Sequence, residues 1–311
     1  MYSQISSNKR KSILLMFGFL LVYAVLAYAV SLFFGPAGVY IIGGIAIVMV
    51  LVTLFMGDDM AVLVAGGRQI KTKSECPELW RMIENLSITA GIPMPRVYIS
   101  PDTSPNAFAA GRTLNQAIVC VNQGLLDRLD EQELEGVIAH EISHIRNFDV
   151  RLMTYAAVLA GSIALISQIL IHGMWFGGSS RDNNGGGVIV LVVAILAAIL
   201  APIAATIIQL AISRKREYVA DASAAELTRY PQGLASALEN ISTNMTPTQH
   251  KSDAIAHMMI AAPFSAKGKP SKLFATHPPA EDRIARLMDM ASNTTHNRRA
   301  PVGWTATAPA A

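Results

Sequence analysis

Four apolar runs of about 20 residues, roughly 13–34, 37–56, 152–171 and 188–212, constrain this 311-residue chain more than any other feature. An α-helix rising about 1.5 Å per residue needs about 20 apolar residues to cross about 30 Å of hydrocarbon. All four runs meet that length, so four transmembrane helices are expected. The composition agrees, with 52% hydrophobic and 15% charged residues, against about 25% charged in an ordinary globular domain. The first run is longer than the usual ~7–15-residue core of a signal peptide and meets the second after Gly35-Pro36, so it reads as a retained anchor.

Basic residues near span ends stay on the cytoplasmic side. Lys9, Arg10 and Lys11 precede the first run, and Arg68, Lys71 and Lys73 follow the second. Arg146 and Arg151 precede the third, and Arg214, Lys215 and Arg216 follow the fourth. The opposite loops carry only Arg181, offset by Asp182. Both termini and the polar segments are therefore expected in the cytoplasm. The net charge of +3 is mild and the basic residues cluster beside apolar runs, a pattern that suits a lipid bilayer and points away from nucleic acid. With that topology Cys76 and Cys120 are expected to be reduced thiols.

The organisation that follows is a tail and first hairpin (1–56), a polar segment (57–150), a second hairpin (151–212), a second polar segment (213–291) and a disordered tail (292–311). The first polar segment reads as α+β. Ser74 and Pro77 open a helix that ends near Gly91; Arg96–Ser100, Gln116–Asn122 and the stretch around Asn106-Ala107-Phe108-Ala109 read as strands. From Asp130 a helix opens with Asp130-x-x-Glu133, a capping pattern, and its apolar period runs through Leu134, Val137, Ile138, Ile142 and Ile145. In the second polar segment one helix is expected from Arg216 to about Thr228, followed by a less ordered stretch over 243–272. A short amphipathic helix with Ile284, Leu287 and Met288 comes next.

The capped helix carries His140-Glu141-Ile142-Ser143-His144. Spacing of i, i+4 puts both imidazoles on one face, where one zinc ion can take a nitrogen from each. Glu141 is then placed as a general base toward water at that ion. A catalytic zinc takes three protein ligands. No third histidine follows in the extended form of the motif, because Asn147 and Val150 occupy the positions of its glycine and its histidine. Glu217 is the leading candidate, with Asp221 at i+4 able to orient a ligating imidazole. His144 precedes the third run by roughly 12 Å of helix and Glu217 follows the fourth by roughly 7.5 Å, so a hairpin of those runs brings them together.

These motifs, together with Gly91-Ile92-Pro93-Met94-Pro95, Asn106-Ala107-Phe108-Ala109, Arg216-Glu217-Tyr218-x-Ala220-Asp221 and Thr276-His277-Pro278-Pro279-x-Glu281-Asp282-Arg283-Ile284, resemble the HtpX family of bacterial membrane heat-shock proteases. The resemblance covers about 11–287. It implies a gluzincin-type metalloprotease domain, distantly similar to CAAX prenyl proteases, with one zinc ion. It also implies residence in the bacterial inner membrane and damaged or misassembled membrane proteins and unfolded proteins as substrates. By the same resemblance Glu217 is the third ligand and Asp221 its partner in holding the site. Asn106 lies on the edge strand that holds substrate, and His277 steadies the oxyanion. An intramembrane protease would carry its motif in an apolar run, but here Glu131, Glu133, Glu135 and Arg146 flank it. A non-catalytic scaffold with a structural zinc would not need Glu141.

Overall fold

The computed structural model describes residues 2–159, 161–162, 214–243, 258–260 and 278–297. Helix α1 (Tyr2–Phe34) and helix α2 (Pro36–Val64) pack as a hairpin around Gly35, whose φ of 65° suits a residue without Cβ. Within them Arg10–Tyr28 and Val39–Val64 are long and apolar enough to cross a membrane, with mean hydropathies of 2.0 and 2.7. Phe17, Leu21, Tyr40, Ile47 and Phe55 are all more than 60% exposed. An apolar surface of that extent is stable against lipid and costly against water.

A further helical stretch, residues 149–159, begins the third apolar run. Its Leu152, Tyr155, Ala156 and Leu159 pack against Phe19, Tyr23, Ile42 and Ala46 of the hairpin. The remainder of that run from 163 onward, and all of 188–212, lie outside the described residues.

Helix α2 does not stop at Met56, where the second apolar run ends. It continues through Gly57-Asp58-Asp59 because its acids find partners. Asp58, 1% exposed, receives Arg96 Nη2 at 2.5 Å and Arg112 Nε at 2.9 Å, while Arg96 Nη1 reaches Asp59 at 2.9 Å. Arg112 also donates to the Leu54 carbonyl. The last turns of α2 then set Ala61, Val62 and Ala65 on a sheet.

That sheet has the order β1-β2-β4-β3, from β1 (Arg68–Ile70), β2 (Arg96–Ser100), β3 (Ala107–Ala110) and β4 (Ile118–Asn122). Strands β2 and β4 are parallel; β1 and β3 are antiparallel to their neighbours. Ile118 and Cys120 face α2 and Met153, whereas Val119 and Val121 face the helices on the other side. A strand covered on both faces reads as an unbroken apolar run, which is what Ile118-Val119-Cys120-Val121 is. Burial inside β4 pushes the Cys120 thiol up to about 12, so it is inert.

On the open side of the sheet lie α3 (Pro77–Ala90), closed by Gly91 at φ 68°, and α5 (Glu131–Arg146); a short helix, α4 (Gln123–Leu126), links β4 to α5. Asp130 accepts from the Glu133 amide while the Glu133 carboxylate accepts from the Asp130 amide, so the capping box forms at both ends. Helix α5 is more enclosed than its apolar period implies: every residue from Gly136 to Ile145 is buried. Later helices α6 (Arg214–Thr228) and α7 (Pro231–Thr243) pack on it, and α8 (Ala280–Asn297) packs on those two and reaches it through Arg283. Helix α7 is not expected from the sequence reading. It approaches α5 at Gly136 and Gly233, where a Cβ on Gly136 would stand 2.5 Å from the Leu234 nitrogen.

The tail expected to be disordered from 292 is helical as far as Asn297. Ala291 remains buried and the Ser292 hydroxyl bonds the Asp289 carbonyl at 2.8 Å, which carries the helix on. Residues 298–311 lie outside the described residues.

Candidate metal centre

Helix α5 presents His140 and His144 one turn apart, and α6 presents Glu217 to both. The two Nε2 atoms stand 3.1 Å apart; His144 Nε2 is 3.5 Å from Glu217 Oε1, and His140 Nε2 is 3.7 Å from Glu217 Oε2. Donors about 2.05 Å from a tetrahedral ion stand about 3.3 Å from one another. These contacts, two of them to different oxygens of Glu217, are close to that separation, so the donors already lie within reach of one ion, and two nitrogens with a carboxylate suit zinc. All three residues are at most 3% exposed.

Each imidazole has a carboxylate behind it. His140 Nδ1 lies 2.9 Å from Asp221 Oδ1, one turn along α6 from Glu217. His144 Nδ1 lies 3.1 Å from Asp149 Oδ2. Asp221 is clamped by Arg283 of α8, whose Nε and Nη2 donate to its two oxygens at 2.9 and 2.7 Å. Arg283 is itself 2% exposed. Burial alone would raise the Asp221 carboxyl, yet Arg283 and His140 hold it down at about 2.

The same neighbours split the two histidines. Burial pushes His140 down to about 4, with Arg283 and His144 acting in the same direction and Asp221 against them. Burial would also lower His144, but Asp149, Glu217 and Glu141 outweigh it and hold the metal-free ring up at about 9. Burial pushes Glu141 up to about 8, and Glu217 acts in the same direction; His144, the Ala109 amide and Arg283 pull against them. A carboxyl near neutrality is suited to proton transfer.

Strand β3 supplies that Ala109 amide. Its register with β4, and the Asn122 amide donating to the Asn106 carbonyl at 2.9 Å, turn Asn106, Phe108 and Ala110 toward β4 and leave Ala107 and Ala109 facing outward. Their small side chains let β3 pack close against α5. Ala107 is partly engaged, since the Ile260 amide donates to its carbonyl at 3.1 Å. Asn106, 3% exposed, stands at the head of this strand. His277 lies outside the described residues.

Sequence reasoning brings His140, Glu141, His144, Glu217 and Asp221 to one place, and the structure assembles all five. It misses Asp149 and Arg283. Arg283 stands in the motif at 276–284, but its residue type points to the surface. Asp149 lies beyond a turn that no residue type announces.

A His-Glu-x-x-His helix, a glutamate from a second helix and carboxylates behind both imidazoles define the centre of a metalloprotease, here joined to apolar helices of membrane-spanning length. The chain belongs to peptidase family M48, whose model matches residues 73–291. It is 45% identical over 297 residues to a Protease HtpX homolog of Ligilactobacillus salivarius, covering 93% of this chain and 100% of that one. It is 44% identical over 291 residues to a Protease HtpX homolog of Dictyoglomus thermophilum, covering 93% and 94%. Among solved structures, S. mikatae Ste24p superposes with a TM-score of 0.48 at 19% identity, over 92% of this chain and 67% of that one.

Proposed function

We propose that this membrane metalloprotease is a zinc-dependent endopeptidase of the bacterial inner membrane that cleaves damaged or misassembled membrane proteins and unfolded proteins. In this reading the chain has four spans, with its active site and both termini on the cytoplasmic side. His140, His144 and Glu217 hold one zinc ion per subunit. The observation that carries the reading is the buried cluster of donors, with the two Nε2 atoms 3.1 Å apart and oxygens of Glu217 3.5 and 3.7 Å from them, beside a glutamate poised for proton transfer. The basic flanks of the apolar runs support the topology.

Bound there, zinc supplies a Lewis acid for the scissile carbonyl and lowers the pKa of nearby water. Glu141 does the proton work: its carboxylate takes a proton from the attacking water and delivers it to the departing amine. The Ala109 amide holds Glu141 and so ties the base to β3. The outward main chain of β3, where the Ala109 amide holds Glu141 and the Ala107 carbonyl takes the Ile260 amide, offers an edge to which an extended substrate can add as a strand in place of the Ile260 contact. Asn106 contacts substrate at the head of that edge, and His277 steadies the oxyanion.

The test is zinc content and cleavage of a model unfolded protein by the full chain, purified in detergent without zinc and then reloaded. Glu141→Gln is expected to bind zinc and to lose about 10²–10⁴-fold in rate. Glu217→Ala is expected to lose both metal and activity. Full zinc occupancy in Glu217→Ala, or an active Glu141→Gln, overturns the reading.

A further inference from the structure

Asp149 has no part in the proton chemistry above, yet it is 2% exposed and its Oδ2 lies 3.1 Å from His144 Nδ1. The chain adopts an unfavourable conformation to put it there. Helix α5 ends at Arg146, and Phe148 takes φ 59° in the left-handed region, at a cost of roughly 1–2 kcal/mol for a residue with a Cβ. The turn points the next side chain back at the metal helix. Strain kept beside a functional group is a reason to ask what it positions.

We propose that Asp149 is a positioning residue for His144, and that Arg216 in turn holds Asp149. The carboxylate keeps the proton of the ring on Nδ1, leaves the lone pair of Nε2 for the metal, and strengthens that nitrogen as a donor. The arrangement mirrors Asp221 behind His140, with a longer contact to its arginine. Arg283 grips Asp221 through two hydrogen bonds, whereas Arg216 Nη1 approaches Asp149 Oδ1 at 3.7 Å.

The link also joins the site to the membrane. Asp149 opens the helical stretch 149–159, which packs on α1 and α2, while Arg216 directly precedes Glu217 on α6. The contact therefore pairs the start of one membrane-packed helix with the helix of the third ligand. A displacement of either shifts a donor.

The inference rests on the zinc reading above, and the experiment separates the two. Zinc affinity of the detergent-purified full chain is measured by competition with a chromophoric chelator. All variants carry Glu141→Gln so that none is cut, and metal-free melting is followed in parallel. Asp149→Ala is expected to bind zinc about 10–100-fold more weakly. Asp149→Asn, which keeps an acceptor but not the charge, should fall between it and the parent. Arg216→Gln should show a smaller loss in the same direction. A purely structural role would lower the metal-free melting temperature and leave zinc affinity unchanged, and that result overturns the proposal. Where Asp149→Ala does not fold, parent-like affinity in Asp149→Asn overturns it. His144→Ala is the control: if it binds zinc as the parent does, the ligand assignment fails and this proposal with it.

Discussion

Replacing Arg283 by methionine tests how far the metal centre depends on a helix that supplies no ligand. The change keeps a long side chain and leaves Asp221 buried without its counter-ion. Asp221 sits at about 2, against 3.8 for an ordinary aspartate, which at 1.36 kcal/mol per unit corresponds to about 2 kcal/mol of preference for its charged, paired state. Without Arg283 the burial that opposes this charge is no longer outweighed. Breaking one side of a buried ion pair costs about 3–5 kcal/mol. At about 2–4 °C per kcal/mol for a chain of this size, melting should fall by about 6–20 °C. The sign with pH follows from the depressed value: the Asp221 contribution is present above about pH 3.8 and lost as pH falls through about 2. The deficit of Arg283→Met is therefore largest near neutrality and narrows below about pH 4. Zinc affinity should fall too, because Asp221 no longer holds His140 at 2.9 Å. Arg283→Lys keeps the charge but not the two-pronged grip and should lie between. The assay is thermal unfolding in detergent with zinc content measured alongside. A variant within about 1 kcal/mol of the parent, with parent-like zinc binding, refutes the reasoning.

Zinc uptake should release protons: at pH 7 the metal-free His144 is charged, with its pKa held at about 9, and the metal requires the neutral ring. Affinity should tighten from pH 7 to 9 and flatten above, and calorimetry in buffers of different ionisation enthalpy counts the protons; affinity independent of pH in this window contradicts the account. In the metal-free protein the charged His144 stabilises the fold below about pH 6.5, and that contribution is lost as pH rises through about 9. At the α5–α7 crossing, Gly136→Ala puts a Cβ 2.5 Å from backbone and should cost about 1–3 kcal/mol in thermal unfolding; a neutral change would mean that the helices part without cost.

The fold was most legible where one local rule decides the outcome. Pro77, Gly91 and the Asp130-x-x-Glu133 box end their helices as such residues do in isolation, and strand β2 has the bounds read from its β-branched run. Reading failed where tertiary contacts decide. Helix α2 passes through Asp58 and Asp59 only because Arg96 and Arg112, some forty to fifty positions away, meet them. Strand β1, three residues long, exists because β2 is there to pair with it. Helix α7 did carry a signal: Leu234, Leu238 and Ile241 repeat at helical spacing after Pro231, and all three are buried. Small residues between them blurred the pattern, and the close approach to α5 is made just before them, where Gly233 meets α5 and Gly136 meets Leu234.

For the site, the i, i+4 geometry of one helix put His140 and His144 on one face, and the Glu217 and Asp221 pair one turn apart on another helix needed only a reason for the two helices to meet. What stayed hidden were the groups that make the donors effective. Asp149 follows a motif histidine by five positions, a spacing that on a continued helix would carry its side chain away from His144; only the left-handed turn at Phe148 brings it back. Arg283 is a cation buried at 2% exposure, where average tendencies put arginine on the surface. Both cases have one cause. A charge in the interior is tolerable only when its partner is fixed, and here the partners come from segments far apart in the chain or from beyond a turn. The more completely a metal site is enclosed, the less of its supporting charge can be read from any single stretch of sequence.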